Sequence, residues 1–139
     1  VFLQTEFDES HGQISPDGRF LAYQSDETGK LEIYVRPFPS GTGGKWQVSS
    51  GGGAQPRWRR DGKEMFYVAP GRKVMSVSVA TGTAFQSAAP KALFDTPMAG
   101  GGPYANQYAV TADGQRFLVI ALPESDASPV VVALHWSAR

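Results

Sequence analysis

The sequence has 139 residues, within the usual range of a single domain. Its 13 basic and 13 acidic side chains cancel, so charge gives no reason to expect nucleic acid or an anionic membrane as a partner. It has no cysteine, which excludes disulfides and is compatible with either side of a bacterial membrane. No apolar run approaches the roughly 20 residues that cross a bilayer. Because the chain begins with Val1 and not Met, we expect it to be part of a longer protein.

The N-terminal part predicts a short strand followed by a four-stranded unit. Residues 1–5 (VFLQT) form an apolar run that is predicted as an isolated strand. The strands of the unit are expected at 13–15, 19–25, 31–38 and 46–49, with reversals at Pro16-Asp17-Gly18 and over 26–29. These strands predict one antiparallel sheet.

The middle unit contains the strongest hairpin signal in the chain. Asp61-Gly62 separates residues 57–60 from 63–69, and this dipeptide favours a type I′ turn in which both residues have φ > 0. A second reversal is expected at Pro70-Gly71, before a half-buried strand at 74–79 in which apolar residues alternate with serine. Residues 91–95 are predicted to be the fourth strand.

The third unit repeats the pattern. Its strands are expected at 107–111, 115–122 and 129–136, with turns at Asp113-Gly114 and 123–128. The Asp-Gly turns therefore recur at residues 17, 61 and 113, and a spacing of 44 to 52 residues with four short strands is typical of propeller blades. The second strand of each unit is apolar on both faces, as expected for sheets stacked between neighbours. Glycine triplets at 51–53 and 100–102 are expected to be crossings between blades.

The sequence thus predicts an all-β fold of β-propeller blades: three four-stranded antiparallel units that form half of a six-bladed propeller, with under a tenth helix. The blades are expected at 11–50, 54–97 and 104–137, with 1–5 as the closing fourth strand of a neighbouring blade. The third unit lacks a fourth strand, and residues 2–5 resemble 93–96. Three blades are fewer than the four to eight that close a ring. We therefore expect a homodimer, or association with further blades of the parent chain.

Three stretches carry a resemblance to a known family. ISPDGRFLAYQSDETGKLEIYVRPF (14–38) resembles the TolB-type, WD-type β-propeller repeat, whose core is Ser-Pro-Asp-Gly followed by an aromatic-rich strand. PRWRRDGKEMFYV and YAVTADGQRFLVI are similar but weaker copies. The order of the repeats, ending in VVVALHW, is similar to the C-terminal part of propellers that follow bacterial serine/threonine kinase or transcriptional-regulator domains. This resemblance implies the fold and leaves the activity open, since such repeats occur in sensors, scaffolds and peptidase gates.

Other motifs favour structural roles. Residues 40–45 lack the glycine and hydroxyl spacing of a phosphate loop. His11 and His135 are at neither metal-ligand nor triad spacing. The turn aspartates and the tryptophans at 46, 58 and 136 are expected to serve turns and blade packing. We expect no catalytic residue, no metal and no cofactor within the chain.

The candidate functional residues are polar residues in or just before the first strands, because the innermost strands of a propeller line its channel. They are His11, Gln13, Gln55, Arg57, Arg59, Asn106 and Tyr108. We expect them at the channel mouth of a non-catalytic module, part of a larger bacterial signalling protein, that binds a protein, a peptide or a small ligand. A solvated channel wall without a ligand is the structural alternative for these residues. The alternative function is the gating propeller of a prolyl-oligopeptidase-like peptidase whose catalytic domain lies outside this chain. A sugar-acting enzyme is disfavoured, because the acidic residues outside the turns do not lie in the first strands.

Overall fold

The structure, a computed structural model, describes residues 2–98 and 105–121, together with the backbone of the strand at 130–135. The described residues form strands and no helix, so the predicted all-β fold is confirmed. None of them belongs to a helix that is long and apolar enough to cross a membrane. The strands are β1 (Glu9–Ile14), β2 (Phe20–Ser25), β3 (Glu32–Pro37), β4 (Trp46–Gln47), β5 (Ala54–Trp58), β6 (Glu64–Ala69), β7 (Lys73–Thr81), β8 (Phe85–Ser87), β9 (Lys91–Asp95), β10 (Tyr108–Val110), β11 (Arg116–Ala121) and β12 (Val130–His135).

The strands form three antiparallel blades in chain order. Blade 1 has the order β1-β2-β3-β4, blade 2 has β5-β6-β7-β8 with β9 also paired to β7, and blade 3 has β10-β11-β12. The predicted strand at 91–95 is confirmed, with Lys73 opposite Asp95. β8 was not expected. It pairs with the far end of β7, which runs for 9 residues and therefore accommodates two partners.

The N-terminal segment pairs with no strand among the described residues. Residues 2–5 form no strand, so the isolated strand predicted at 1–5 is not found there. The ring of Phe2 instead packs on Phe38, with centroids 5.2 Å apart. Pairing of this segment with a neighbouring blade stays a prediction, as do the predicted blade boundaries.

The Asp-Gly turns differ from the expected type. In blade 2 the Gly62 N–H donates to the Arg59 carbonyl at 2.9 Å, and the Arg59 N–H donates to the Glu64 carbonyl at 2.8 Å. Gly62 has φ 71°, whereas Asp61 does not have a positive φ, so the expectation of a type I′ turn is wrong. The aspartate acts through its side chain instead, since Oδ1 of Asp61 accepts the Lys63 N–H at 3.0 Å. The same bond forms in blades 1 and 3, from Arg19 to Asp17 and from Gln115 to Asp113.

One apolar cluster fills each gap between blades. Met65 and Tyr67 of β6 face blade 1 and are fully buried. Phe66, between them in sequence, faces blade 3 and meets the ring of Phe117 edge-on at 5.1 Å. β6 is therefore sandwiched between two sheets, which is why its residues are apolar on both faces.

β11 is buried on one face only. Phe117 and Val119 face blade 2 and are buried, whereas Leu118 and Ile120 are 48% and 43% exposed. Burial on both faces, expected from the apolar sequence, is therefore not found in blade 3, because no described element covers its outer face.

Two of the three tryptophans pack as expected. Trp46 and Trp58 surround the buried ring of Phe85, with centroid distances of 5.5 and 6.3 Å. Trp136 lies outside the described residues.

The first glycine triplet lies in the crossing from β4 to β5. A Cβ on Gly52 would be 2.6 Å from the Pro70 side chain, so the chain passes too close to the neighbouring loop for any larger residue. The second triplet lies outside the described residues.

Candidate functional site

The first strands of blades 1 and 2 are interrupted at equivalent positions. The pairing register shifts between Ser10 and Gln13 in β1, and between Ala54 and Arg57 in β5. Inside these irregularities His11 and Gln55 have φ of 54° and 57°, which non-glycine residues adopt rarely. Each lies six residues before the turn aspartate of its blade. Such bulges turn a side chain out of the regular ladder.

Glutamine side chains connect the blades along these strands. Oε1 of Gln24 accepts the Gln55 N–H at 2.9 Å. Oε1 of Gln55 accepts the Gln107 N–H at 2.7 Å, and its Nε2 donates to Oε1 of Gln107 at 3.0 Å. The hydroxyl of Tyr108 donates to the Gln55 carbonyl at 2.8 Å. Gln55 is 4% exposed, so it links all three blades and does not present an open contact surface.

Arg57 lies next to this network and has neutral partners. Its Nη2 donates to Oδ1 of Asn106 at 2.8 Å, and its Nη1 donates to the Pro56 carbonyl at 2.9 Å. The guanidinium carbon is 5.5 Å from the centroid of the Tyr108 ring, a cation–π contact. Among the described residues no carboxylate forms an ion pair with Arg57. The half-buried guanidinium is therefore held in place without being neutralised.

His11 completes this group. Burial lowers its pKa below the ordinary value of 6.5; the nearby backbone of Ala105 acts in the opposite direction, and the charge of Arg57 lowers the pKa further. Burial raises the pKa of the Tyr108 phenol. Both side chains are therefore neutral at pH 7, and Arg57 is the charged member of the group. We call His11, Gln55, Arg57, Asn106 and Tyr108 the first-strand cluster.

Two predicted site residues lie apart from the first-strand cluster. Arg59 donates from Nε and Nη2 to the Asp61 carboxylate at 2.8 and 2.6 Å, and from Nη1 to Oε2 of Glu64 at 2.8 Å. The hydrogen bonds from Arg59 to Asp61 lower the pKa of this carboxylate to about 2. The carbonyl of Gln13 accepts the indole N–H of Trp58 at 2.9 Å. Arg59 therefore stabilises the hairpin of blade 2, and Gln13 stabilises the packing of blade 1 on blade 2.

The structure thus brings together five of the seven predicted residues. Contact of any of them with a ligand stays a prediction. Sequence reasoning missed Gln24 and Gln107. Gln107 could have been found, because it lies six residues before the turn aspartate of its blade, as His11 and Gln55 do. Over residues 2–98 and 105–121, no three His, Asp or Glu side chains are placed to hold a metal ion.

The fold and this cluster define an array of three propeller blades with a polar group on its first strands. No family model and no curated protein matches the sequence. Among solved structures, the chain is similar to a putative 6-phosphogluconolactonase from Bacteroides uniformis, with a TM-score of 0.54 and 12% identity, over 96% of this chain and 42% of that one. TolB from Acinetobacter baumannii gives a TM-score of 0.46 and 18% identity, also over 96% and 42%. The chain therefore spans less than half of each of these proteins, and the first likeness shows a propeller-like fold alone.

Proposed function

We propose that this chain is a non-catalytic binding module that holds an acidic group of a peptide or small ligand at the first-strand cluster. The observation that carries the proposal is Arg57, a half-buried cation whose partners among the described residues are all neutral. A planar guanidinium binds a carboxylate through two parallel hydrogen bonds, and such bonds are stronger than those to neutral oxygens.

The surroundings of Arg57 suit such a ligand. The Tyr108 ring restrains the guanidinium, which reduces the entropy lost when a ligand binds. Asn106 is exposed. Its side-chain amide can therefore release Nη2 of Arg57 to the ligand, or rotate and donate a hydrogen bond to the same ligand. The neutral His11 ring offers a further polar contact without adding a second fixed charge.

The resemblance of the repeats to propellers that follow kinase or regulator domains supports a role as the sensor part of a larger bacterial signalling protein. The gating role depends on a peptidase domain outside this sequence, and no observation on the described residues favours it.

A binding experiment with matched peptides tests the proposal. Fluorescence anisotropy would compare a labelled Glu-rich pentapeptide with its Gln counterpart. We expect the acidic peptide to bind more tightly and Arg57→Gln to weaken its binding by about 10- to 100-fold, the range for a hydrogen bond to a charged group. Arg60→Gln is the control, because it removes the same charge from an exposed residue outside the cluster. Equal affinity for the two peptides, or unchanged binding by Arg57→Gln, would overturn the proposal.

A further inference from the structure

His11 does not make the bond between blades that its counterpart in blade 2 makes. His11 and Gln55 occupy the same place in successive blades, in the bulge of the first strand and six residues before the turn aspartate. The Gln55 side chain accepts the backbone N–H of Gln107 in the next blade at 2.7 Å. The corresponding bond from blade 1, to the backbone N–H of Gln55, comes from Gln24 at 2.9 Å and not from His11. The imidazole is therefore released from the structural role of its counterpart.

The ring nitrogens of His11 are poorly paired. Nδ1 lies 3.4 Å from the Ser10 hydroxyl oxygen, which is long for a hydrogen bond. Nε2 is buried and has no hydrogen-bond partner among the described residues. Buried polar atoms are paired in most proteins, and an exception calls for an explanation. Together with the strained backbone, this makes His11 a candidate for a role other than packing.

Arg57 is the charged residue of the cluster that acts on His11. The strands β1 and β5 pack against each other, and the positive charge of Arg57 disfavours a second positive charge on the imidazole. The strand β10 contributes the Tyr108 phenol, which is neutral at pH 7, and β2 contributes the uncharged Gln24. On β1 itself, the Glu9 carboxylate accepts a hydroxyl hydrogen from the N-terminal segment. The imidazole is therefore neutral at pH 7 as long as Arg57 has only its neutral partners.

We propose that binding of an acidic group at Arg57 is coupled to protonation of His11, so that binding takes up a proton and becomes tighter as the pH falls. This inference rests on the function proposed above. A bound carboxylate or sulfonate would offset the charge of Arg57, which is what disfavours the imidazolium from the side of blade 2. The backbone of Ala105 already favours the protonated ring.

The affinity then depends on pH in one direction. The pKa of His11 is below 6.5 in the free chain and rises when the acidic group binds. At about pH 7.5 the imidazole is neutral in both forms, so its titration does not affect the affinity. As the pH falls through the pKa of the bound form, the affinity increases, and it levels off below the pKa of the free form.

The test uses a ligand whose own charge does not change with pH. The probe is a labelled pentapeptide rich in cysteic acid, whose sulfonates stay ionised, and its Gln counterpart measures binding that does not depend on charge. Fluorescence anisotropy is expected to show the affinity of the wild type for the sulfonate peptide rising about 3- to 10-fold from about pH 7.5 to about pH 5, where tenfold corresponds to one pKa unit.

Two variants assign the effect to one histidine. His11→Asn is expected to abolish the rise with falling pH, whatever its affinity at pH 7.5, and Asn tolerates the positive φ of this position better than most residues. His135→Gln removes the other histidine of the chain and is expected to keep the rise. NMR titration of the two wild-type imidazoles should show the pKa of His11 increasing when the sulfonate peptide is bound, and this measurement decides alone should His11→Asn lose its β circular dichroism spectrum.

The outcomes separate this coupling from the function on which it rests. If the sulfonate peptide binds through Arg57 but its affinity does not change with pH, or if the rise persists in His11→Asn, the coupling is overturned and the proposed function stands. An unchanged pKa of His11 in the complex would overturn the coupling as well. If the sulfonate peptide and its Gln counterpart bind equally at both pH values, the proposed function fails, and the coupling fails with it.

Discussion

The residue two positions before each turn aspartate bonds to that aspartate, although its chemistry changes from blade to blade. Ser15 donates from its hydroxyl to Asp17 at 2.5 Å, and Thr111 does the same to Asp113 at 2.5 Å. Arg59 takes this place in blade 2 and makes two bonds to its aspartate. Hydroxyl and guanidinium groups can both hold the aspartate that caps the turn. This explains how Arg-Arg in the second repeat and Thr-Ala in the third can replace the Ser-Pro of the first.

The Arg59 to Asp61 pair gives a prediction about pH. Arg59 lowers the pKa of Asp61 to about 2 from 3.8, so the folded state favours the charged carboxylate. The stability from this pair is present above about pH 4 and is lost as pH falls toward 2. We expect Asp61→Asn to lower the free energy of unfolding at pH 7 by about 0.5 kcal/mol, because solvent screens this exposed group. The free energies of unfolding of variant and wild type, measured with urea, should become nearly equal by pH 2. A difference that persists at pH 2 would show that the ionised Asp61 carboxylate is not its cause.

Gln55 gives a second prediction at this scale. Gln55→Met keeps the length of the side chain but removes the acceptor for the Gln107 N–H and the donor to its side chain. Loss of these bonds between half-buried polar groups costs about 1–3 kcal/mol, which urea unfolding would measure. Gln86→Met, at an exposed position, is expected to change stability by less than about 0.5 kcal/mol. Equal effects of the two substitutions would show that the glutamine link between the blades is not stabilising.

At the scale of elements, local signals predicted the hairpins and strands well. Each Asp-Gly turn joins two strands, and the apolar run of β6 is buried on both faces as expected. The turn type was wrong because Asp-Gly also fits a type I turn, in which the aspartate caps the loop through its side chain. β8 was missed because Phe85–Ser87 is too short to show a period.

The site was harder to predict than the strands. Arg57 and Arg59 lie two residues apart and look alike in sequence, yet Arg57 meets Asn106 of blade 3 whereas Arg59 meets the adjacent turn. The difference depends on a contact between residues about 50 positions apart, and no local pattern contains it. Gln24, whose side chain reaches the Gln55 backbone, was missed for the same reason.

The turn glycines give a prediction that separates backbone strain from contact between blades. Gly18 and Gly114 have φ of 73° and 70°, so alanine should cost about 1 kcal/mol at either position. A Cβ on Gly18 meets nothing within 4 Å, but one on Gly114 would be 2.8 Å from Cδ of Arg59 and 3.1 Å from Cζ of Phe66. Arg59 is fixed by two carboxylates and cannot move away freely. We therefore expect Gly114→Ala to destabilise the chain by a further 1–3 kcal/mol or so in thermal unfolding; equal losses would show that blade 3 moves aside without cost.

At the scale of the whole molecule, the chain is a linear array in which each blade contacts its neighbours along the chain. In such arrays stability comes from the separate units and from the contacts between neighbours. Blade 2 has two such contacts, whereas blades 1 and 3 have one each within a single copy. The two terminal blades are therefore the parts of this array that open most easily.

Hydrogen exchange measured by mass spectrometry tests this arrangement. Amides of β6 are expected to exchange most slowly, because they open only when both neighbouring gaps open, and those of β11 are expected to exchange faster through local unfolding of blade 3. Equal protection of β6 and β11 would show instead that the three blades unfold as one cooperative unit, because the contacts between blades would then be too strong for blade 3 to open alone.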